Sequence, residues 1–485
     1  MTRSTHTSLA LAALVALACF FTVGARSAIA DENWPQWRGP NGNGISNSTN
    51  LPAEWGPEQN IAWKTELPSW SGGTPIIWGD RIFITSPSAK AEEEPQQQAA
   101  AQQEDENDQQ PGQRRGRGRR GVGGRGFGGR GFGDGGRDPG GNDLLLLCIS
   151  KSDGEVLWTQ KLDDGNRLYR KQNLSSPSPV TDGNHVWVVT GTGAVTAFDI
   201  EGNQVWQNNL QQQYGDFGLN WGYASSPLLH DGKLIIEVLH GQHTDEPSYI
   251  VALDAQTGQQ VWRQERPTDA LFESPDAYTT PVVLEHEGQT QIVVSGGDYV
   301  TGHDPQTGKE LWRAAGLNPE RQRNYRIIAS PTVADGMIYA PTRQRPLIAL
   351  RAGGSGDVTE SHLAWRWTQG GGPDVPTPIS DGERFYMVDD RGLVNCLDAK
   401  TGERVWGPLR TAQGTVSASP LLADGKLYVI NESAVTTVID VSGDEPQVTA
   451  TNELDGGYTL SSIAVSGSQL FIRTQSHLYC IGAEQ

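Results

Sequence analysis

One unit recurs along this chain and constrains its fold more than any other feature. The unit begins with Ser or Thr followed by Pro, passes through Asp-Gly and an alternating apolar strand, and ends in the pattern A-x-D-x-x-T-G-x-x-x-W. Its clearest copy runs from Ser226 to Trp262 and ends ALDAQTGQQVW. Because self-similarity at a period of about 20 to 50 residues indicates a repeat architecture, we expect one array of supersecondary units.

The tryptophan that ends the unit is the second recurring feature. A buried Trp ring removes roughly 150–250 Å² of surface from water, so we predict that each ring packs flat against the next unit. The Asp and Thr-Gly before it are typical of a hairpin turn in which Gly takes a positive φ. The predicted docking tryptophans are Trp63, Trp158, Trp206, Trp262, Trp312 and Trp406.

The unit starts predict the number of repeats. After the first gap they lie 42 to 54 residues apart, the length of a four-stranded propeller blade. The last unit has no Trp-bearing strand, whereas residues 61–67 (IAWKTEL) supply one before the first start. We therefore predict an all-β, eight-bladed β-propeller of four-stranded antiparallel blades over residues 61–485, closed by the N-terminal strand, which removes an open sheet edge. The starts are Pro75, Pro179, Pro227, Pro281, Pro331, Pro378, Pro420 and, without the proline, Ser462.

Three cysteines beyond the N-terminal apolar run follow the same repeat. Cys148 and Cys396 occupy the position that Ala252 takes in the clearest unit, and Cys480 has a similar context. We therefore predict three core residues in different blades and no disulfide between them. The chain has no CxxC or CxxCH motif, so neither a thiol-redox centre nor a covalently bound c-type haem is indicated.

The N-terminus is typical of an export signal. Arg3 and His6 precede an apolar run from Leu9 to Val23, and Ala28-Ile29-Ala30 offers a cleavage site. The run has about 15 residues, and a membrane span needs roughly 20. We expect a signal peptide over residues 1–30, a lead-in over 31–60, and a soluble protein of the periplasm or cell envelope. A lipid anchor at Cys19 is the competing interpretation.

The composition bears on partners. The formal charge of −19 and an isoelectric point near 4.9 make nucleic acid an unlikely ligand of the folded body. An insertion over residues 88–142 interrupts the first blade, with a Gln- and Glu-rich half followed by an Arg- and Gly-rich half. Almost nothing in it can form a core, so we predict disorder. It is either an arm that grips polyanions such as nucleic acid or acidic polysaccharide, of which export favours an anionic partner in the cell envelope, or a tolerated loop whose halves neutralise each other.

The loops before the unit starts contain the candidate binding residues. In a propeller such loops converge at the mouth of the central channel, where polar and aromatic groups can form a ligand site. The alternative is that these side chains only satisfy loop backbones. The candidates are Asn173, Asn220, Trp221, Tyr223, Asp276, Tyr278, Asn324, Arg326, Asp374 and Tyr458.

The A-x-D-x-x-T-G-x-x-x-W element resembles the tryptophan-docking motif of PQQ-repeat propellers. That superfamily includes quinoprotein alcohol dehydrogenases and the periplasmic BamB-like propeller of the outer-membrane β-barrel assembly machine. The resemblance extends over nearly all of residues 61–485, and residues 34–46 (WPQWRGPNGNGIS) resemble the lead-in of exported bacterial members. It implies the fold, while the activity must be argued from the site.

Two functions follow from this resemblance. A quinoprotein dehydrogenase of alcohols or sugars would need pyrroloquinoline quinone and Ca²⁺, a base such as Asp276 or Asp374, and oxygen ligands, for which Asn220 and Asn324 also qualify. Trp221 would stack on the quinone and Arg326 would pair with it. The family's enzymes typically carry a vicinal disulfide over the quinone, and this chain has no Cys-Cys. We therefore favour a monomeric, non-catalytic scaffold without cofactor or metal that binds an envelope protein or polysaccharide.

Overall fold

The computed structural model describes residues 32–90, 138–343, 346–370 and 372–482. The predicted signal peptide and most of the predicted insertion lie outside these residues. Two strands precede the first unit, β1 (Ile45–Ser46) and β2 (Ile61–Glu66). The units that follow form antiparallel sheets, each starting with its innermost strand.

The first four blades follow one another along the chain. Blade 1 contains β3 (Ile76–Trp78), β4 (Arg81–Pro87), β5 (Leu144–Ser150) and β6 (Val156–Asp163), and a hairpin of β7 (Leu168–Tyr169) and β8 (Gln172–Asn173) follows it. Blade 2 contains β9 (Val180–Thr181), β10 (His185–Val189), β11 (Ala194–Asp199) and β12 (Gln204–Asn209), followed by the short helix α1 (Leu210–Tyr214). Blade 3 contains β13 (Leu228–His230), β14 (Lys233–Val238), β15 (Tyr249–Asp254) and β16 (Gln260–Glu265). Blade 4 contains β17 (Val282–His286), β18 (Gln289–Gly296), β19 (Tyr299–His303) and β20 (Glu310–Ala314).

The other four blades complete the circle. Blade 5 contains β21 (Thr332–Ala334), β22 (Met337–Ala340), β23 (Leu347–Arg351) and β25 (Leu363–Trp367), while β24 (Gly356–Asp357) joins the edge of blade 4. Blade 6 contains β26 (Ile379–Ser380), β27 (Arg384–Val388), β28 (Leu393–Asp398) and β29 (Arg404–Arg410). Blade 7 contains β30 (Leu421–Ala423), β31 (Lys426–Ile430), β32 (Val435–Asp440) and β33 (Gln447–Glu453), and blade 8 contains β34 (Ala464–Ser466), β35 (Gln469–Arg473) and β36 (His477–Ile481).

The N-terminal strand closes the ring. Strand β2 pairs antiparallel with β36 as the fourth, outermost strand of blade 8, and Trp63 lies opposite Cys480 in the register. The predicted eight-bladed propeller of four-stranded blades is thereby confirmed. Closure pairs the hydrogen-bonding groups that an open terminal sheet would leave exposed.

The Ser or Thr that begins every unit has a structural reason. Its backbone N–H donates to the side-chain hydroxyl of the equivalent residue in the next blade, and the eighth bond returns to blade 1. The eight N···O distances lie between 2.9 and 3.2 Å. We call this closed circle the hydroxyl ring; its members are Thr74, Ser178, Ser226, Thr280, Ser330, Thr377, Ser419 and Ser462.

The tryptophans form a second ring, near the outer edge. The ring of Trp262 covers Gly308 in the hairpin of blade 4, where an added Cβ would lie 2.4 Å from the indole. Its Nε1 donates to the carbonyl of Pro305 in the same blade at 3.2 Å. The small residue of the repeat lies directly opposite the Trp on the neighbouring strand, as in the pair of Ala252 and Trp262. Trp63, Trp158 and Trp206 pack in the same way, on Gly154, Gly202 and Gly258.

Two of the six predicted docking tryptophans, Trp312 and Trp406, do not pack on a glycine of the next blade, and the docking tryptophan Trp365 was not predicted. The Nε1 of Trp312 donates to Gln291 within its own blade at 2.7 Å. Trp406 packs against the apolar cluster shared by blades 6 and 7. Trp365 takes the regular docking position of blade 5, on Gly402 of blade 6. Its strand was not recognised because residues 352–362, which precede it, lack the D-x-x-T-G hairpin.

The N-terminal lead-in crosses the propeller axis. The N–H and C=O of Trp34 pair with Ile77 of blade 1 at 2.8 Å, and the carbonyl of Pro35 accepts the N–H of Thr181 in blade 2. Three residues later, the buried Arg38 guanidinium donates to the carbonyl of Thr377 in blade 6 at 2.7 Å. Blades 2 and 6 lie on opposite sides of an eight-bladed ring, so the intervening chain passes over the axis. Strand β1 then pairs parallel with β30 of blade 7.

Candidate funnel site

A cavity of about 410 Å³ occupies the centre of the propeller. Seven of the eight members of the hydroxyl ring line it, all except Ser330, and Trp37 of the lead-in lines it as well. The rest of the wall comes from the loops that enter the inner strands, from the loops between the second and third strands of blades 5 and 6, and from the hairpin of β7 and β8. We call this cavity the funnel. Its position agrees with the usual concave ligand site of a propeller.

The hairpin of β7 and β8 reaches over part of the funnel. The Lys171 Nζ lies 2.6 Å from Glu432 Oε1 in blade 7, although the hairpin follows blade 1. The Gln172 side-chain amide donates to the carbonyls of Trp221 and Gly222 in the loop before blade 3. The guanidinium of Arg170 lies 5.7 Å from the centre of the Trp221 ring. The hairpin therefore ties loops of two distant blades together at the mouth.

A second polar network lies on the wall formed by blades 4 to 6. Arg326 Nη2 lies 3.1 Å from Asp374 Oδ2, and its Nε lies 3.8 Å from Glu273 Oε1. Glu273 Oε1 also accepts the indole N–H of Trp221 at 2.8 Å. Arg343 lies 3.6 Å from the same carboxylate oxygen of Asp374. Each cation of this network therefore already faces a carboxylate.

Two aspartates, the buried Asp276 and the half-buried Asp390, hold the loops of this wall through backbone N–H groups. Asp276 accepts the backbone N–H of Asn220 on one oxygen and those of Gly241 and Gln242 on the other, at 2.8 to 3.1 Å. Burial raises the pKa of Asp276 to about 6, against the lowering effect of these bonds. Burial and the nearby Asp374 likewise raise the pKa of Asp390 to about 6. Asp276 is fully buried, and both of its oxygens accept hydrogen bonds from loop backbone N–H groups.

The structure separates the predicted site residues into two groups. Asn173, Tyr223 and Asp276 are buried, and Asn220 contacts Glu273 and His243 behind the wall. Asn324 is exposed on its loop, and Tyr458 packs edge-on against Trp70. The four that line the funnel are Trp221, Tyr278, Arg326 and Asp374.

Sequence reasoning missed several funnel residues. Trp37 was read only as part of the lead-in, and nothing local indicates that it reaches the axis. Lys171 lies in the loop RLYRKQN before Pro179, whose cations and aromatic ring were a usable signal. Asp390 and Arg343 lie between the second and third strands of their blades, outside the loops before the unit starts from which the candidates were predicted.

The described residues do not fit a Ca²⁺-bound quinone well. Pyrroloquinoline quinone is a flat tricarboxylate, so its site needs cations free to face it and oxygen ligands free to bind Ca²⁺. Here Arg326 and Lys171 face carboxylates, and the oxygens of Asp276 accept backbone N–H groups. Within the described ranges, no three His, Cys, Asp or Glu side chains are grouped as a metal site would require.

The comparisons with known proteins agree with the fold and the repeat. Residues 142–408 match the family described as outer membrane protein assembly factor BamB, so the chain belongs to this family of PQQ-repeat propellers. The assembly factor BamB of Yersinia pestis is 24% identical over 362 residues, which cover 66% of this chain and 86% of that protein. BamB of Escherichia coli is 22% identical, covering 63% and 84%.

Two solved structures share the architecture over nearly the whole chain. A europium-containing methanol dehydrogenase superposes with a TM-score of 0.64 at 11% identity, covering 93% of this chain and 98% of that one. The quinohemoprotein alcohol dehydrogenase of Comamonas testosteroni gives 0.63 at 11% identity, covering 95% and 82%. At this identity the likeness concerns the fold alone. Among the described residues, no helix is long and apolar enough to cross a membrane.

Proposed function

We propose that this chain is a non-catalytic binding scaffold of the periplasm or cell envelope, whose funnel face takes a protein or polysaccharide partner. Membership of the BamB family supports the scaffold, since the relatives are named as outer membrane assembly factors. The observation that carries the proposal is that the candidate catalytic carboxylates already have hydrogen-bond or ion-pair partners within the protein. Asp276, the candidate base, is buried against three backbone N–H groups, and Asp374 faces two arginines.

The predicted export signal supports the location. Residues 1–30 combine an apolar core with a small-residue cleavage site. The described residues at the two ends of the predicted insertion are held against blade 1. Gly141 donates its N–H to the carbonyl of Ser88 at 2.7 Å, and Trp70 donates to the carbonyl of Asp138 at 2.6 Å. Both flanks lie between the second and third strands of blade 1, on the same face as the funnel mouth.

Site-specific crosslinking tests the funnel face. A photoreactive amino acid at Asn324, exposed beside the funnel, should crosslink to a defined envelope partner in extracts of the source cells. The same group at Lys400, exposed on the hairpin face of blade 6, is the matched control and should give no such product. Equal yields from both positions, or none from either, would contradict the assignment of the partner to this face.

Titration with pyrroloquinoline quinone and Ca²⁺ tests the competing dehydrogenase. We expect no quinone absorbance to remain with the protein after gel filtration, and no dye reduction with alcohols or sugars. Stoichiometric retention of the quinone together with dye reduction would replace the scaffold with a quinoprotein dehydrogenase. The mature, full-length protein is used in both experiments.

A further inference from the structure

We propose that the funnel binds a neutral sugar ring, the terminal pyranose of an uncharged oligosaccharide. This inference rests on the proposed scaffold function and narrows its partner to a carbohydrate. It combines three observations: Lys171, Arg326 and Arg343 of the wall each face a carboxylate, hydroxyl groups encircle the axis, and aromatic rings line the cavity.

The pairing of charges argues for a neutral ligand. Lys171 is 2.6 Å from Glu432, and Arg326 is 3.1 Å from Asp374. The Glu432 carboxylate also accepts the hydroxyl of Ser417 at 2.6 Å. An ionic ligand that displaced one partner of such a partly buried pair would leave the other partner uncompensated, which costs free energy. Each paired group keeps further donor or acceptor positions, because guanidinium has five N–H groups and a carboxylate about four lone-pair sites.

The hydroxyl ring supplies donors around the axis. Each ring oxygen accepts a backbone N–H from the preceding blade, for example Ser178 from Thr74 at 2.9 Å and Ser226 from Ser178 at 3.0 Å. A hydroxyl has one proton to donate, and that proton is not used by the bond it accepts. The ring members that line the funnel can therefore donate to oxygen atoms of a ligand on the axis. A polyhydroxyl compound offers such acceptors in every direction.

The aromatic residues supply the faces on which a sugar ring packs. Trp37 lies where the lead-in crosses the axis, and it is half-buried and lines the funnel. Trp221 and Tyr278 line the wall, joined by a hydrogen bond from the Trp221 N–H to the Tyr278 hydroxyl at 3.0 Å. The negative face of an aromatic ring attracts the weakly positive C–H groups of a pyranose. Aromatic rings beside hydroxyls and paired charges thus match a ligand with apolar faces and a polar rim.

The size of the funnel limits the ligand. Its 410 Å³ falls within the roughly 300–1,000 Å³ of typical small-ligand sites. The lead-in crosses the axis at one end, so a chain entering from the loop face must end inside. The geometry therefore assigns the funnel to the end of an oligosaccharide rather than to its middle.

Calorimetric titration of the mature protein tests the inference. The probes are cellotriose, maltotriose and triacetylchitotriose as neutral sugars, and tri-galacturonic acid as an anionic one of similar size. We expect saturable binding of at least one neutral trisaccharide and none of the anionic one. Trp37→Ala should weaken that binding by about tenfold, or about 1.4 kcal/mol. Trp37→Phe keeps an aromatic face and should retain most of the affinity.

Phe272→Ala is the matched control. Phe272 is 48% exposed and lies in the loop before blade 4, but it does not line the funnel. Its removal should leave sugar affinity unchanged. Preference for the anionic sugar, absence of binding by all the neutral ones, or equal losses in Phe272→Ala and Trp37→Ala would overturn the inference. If crosslinking from Asn324 persists while the neutral sugars fail to bind, the scaffold stands and only the carbohydrate assignment falls; loss of both refutes both.

Discussion

The propeller is held together by two concentric rings that differ in regularity. The inner hydroxyl ring is complete, with the same N–H to hydroxyl bond between every pair of neighbouring blades. The outer ring repeats its Trp-on-Gly contact at five of the eight blade interfaces, and the others use different contacts. In blade 7, for example, Ala450 replaces the Trp, and Trp55 of the lead-in packs on Tyr428 instead.

The difference has a geometric cause. Blades converge toward the axis, so neighbouring chains there are separated by one hydrogen bond, which only a short hydroxyl side chain can span. Blades diverge toward the rim, where the wedge between them must be filled by bulk. Several bulky groups can fill such a space, so the outer contact varies between blades, whereas the inner position is Ser or Thr in all eight. Because a buried aromatic ring contributes more to stability than one hydrogen bond, we expect large losses of stability on substitution at the rim and small, uniform ones at the axis.

Removing a rim tryptophan should have the largest effect. Trp262 is 7% exposed and packs on the next blade. Its replacement by Ala leaves a cavity between blades 3 and 4, so we expect Trp262→Ala to lower the free energy of unfolding by about 3–5 kcal/mol. Chemical denaturation followed by circular dichroism measures this loss. The adjacent Val261 is 46% exposed, and Val261→Ala should change stability by less than about 0.5 kcal/mol. Comparable losses in both variants would contradict the role of Trp262 in filling the space between blades 3 and 4.

The glycine under the tryptophan should have the next largest effect. Gly308 has a φ of +72°, and a Cβ there would meet the Trp262 indole at 2.4 Å. Gly288 in the same blade has a φ of +75° with open space around it. We expect Gly288→Ala to cost about 1 kcal/mol from backbone strain alone. Gly308→Ala should cost about 1–3 kcal/mol more, because the indole must move. Thermal unfolding measures the loss of stability in each variant. Equal losses would mean that the Trp262 indole can move aside at no cost in free energy.

Opening the inner ring at one position should have the smallest effect. Ser178→Ala leaves the N–H of Thr74 without its acceptor, which should cost about 1–2 kcal/mol. Ser178→Thr restores a hydroxyl, as Thr does at three other ring positions, and should recover more than half of the loss. Urea denaturation distinguishes the two variants. If Ser178→Ala lost as much stability as Trp262→Ala, the predicted energetic difference between the two rings would be wrong.

Most of the fold prediction was based on the repeat. Its period indicated four-stranded blades, and the separate strand around Trp63 indicated how the ring closes. The prediction was incomplete where a blade departs from the repeat. Trp365 was not recognised because the hairpin before its strand lacks Thr-Gly, and Trp312 donates within its own blade although its motif is complete. The motif predicts the local hairpin turn, whereas the residues that contact the Trp ring depend on the neighbouring blade.

The funnel was predicted only in part. Its location followed from the fold, and Trp221, Tyr278, Arg326 and Asp374 line it. Asn173 and Asp276 lie in the same kind of loop but turn inward to bind backbone groups. Residue type and loop position do not distinguish these two directions, because polar side chains are equally suited to either role.

The sequence by itself determined the blades, their order and the closure of the ring, because these depend on patterns repeated within each unit and on a strand that one end lacks and the other supplies. Only the tertiary structure decided what the centre contains. The approach of Lys171 to Glu432 and the crossing of Trp37 over the axis join segments from opposite ends of the chain. No local pattern encodes such contacts, since they arise when the circle closes and brings eight separate loops to one point.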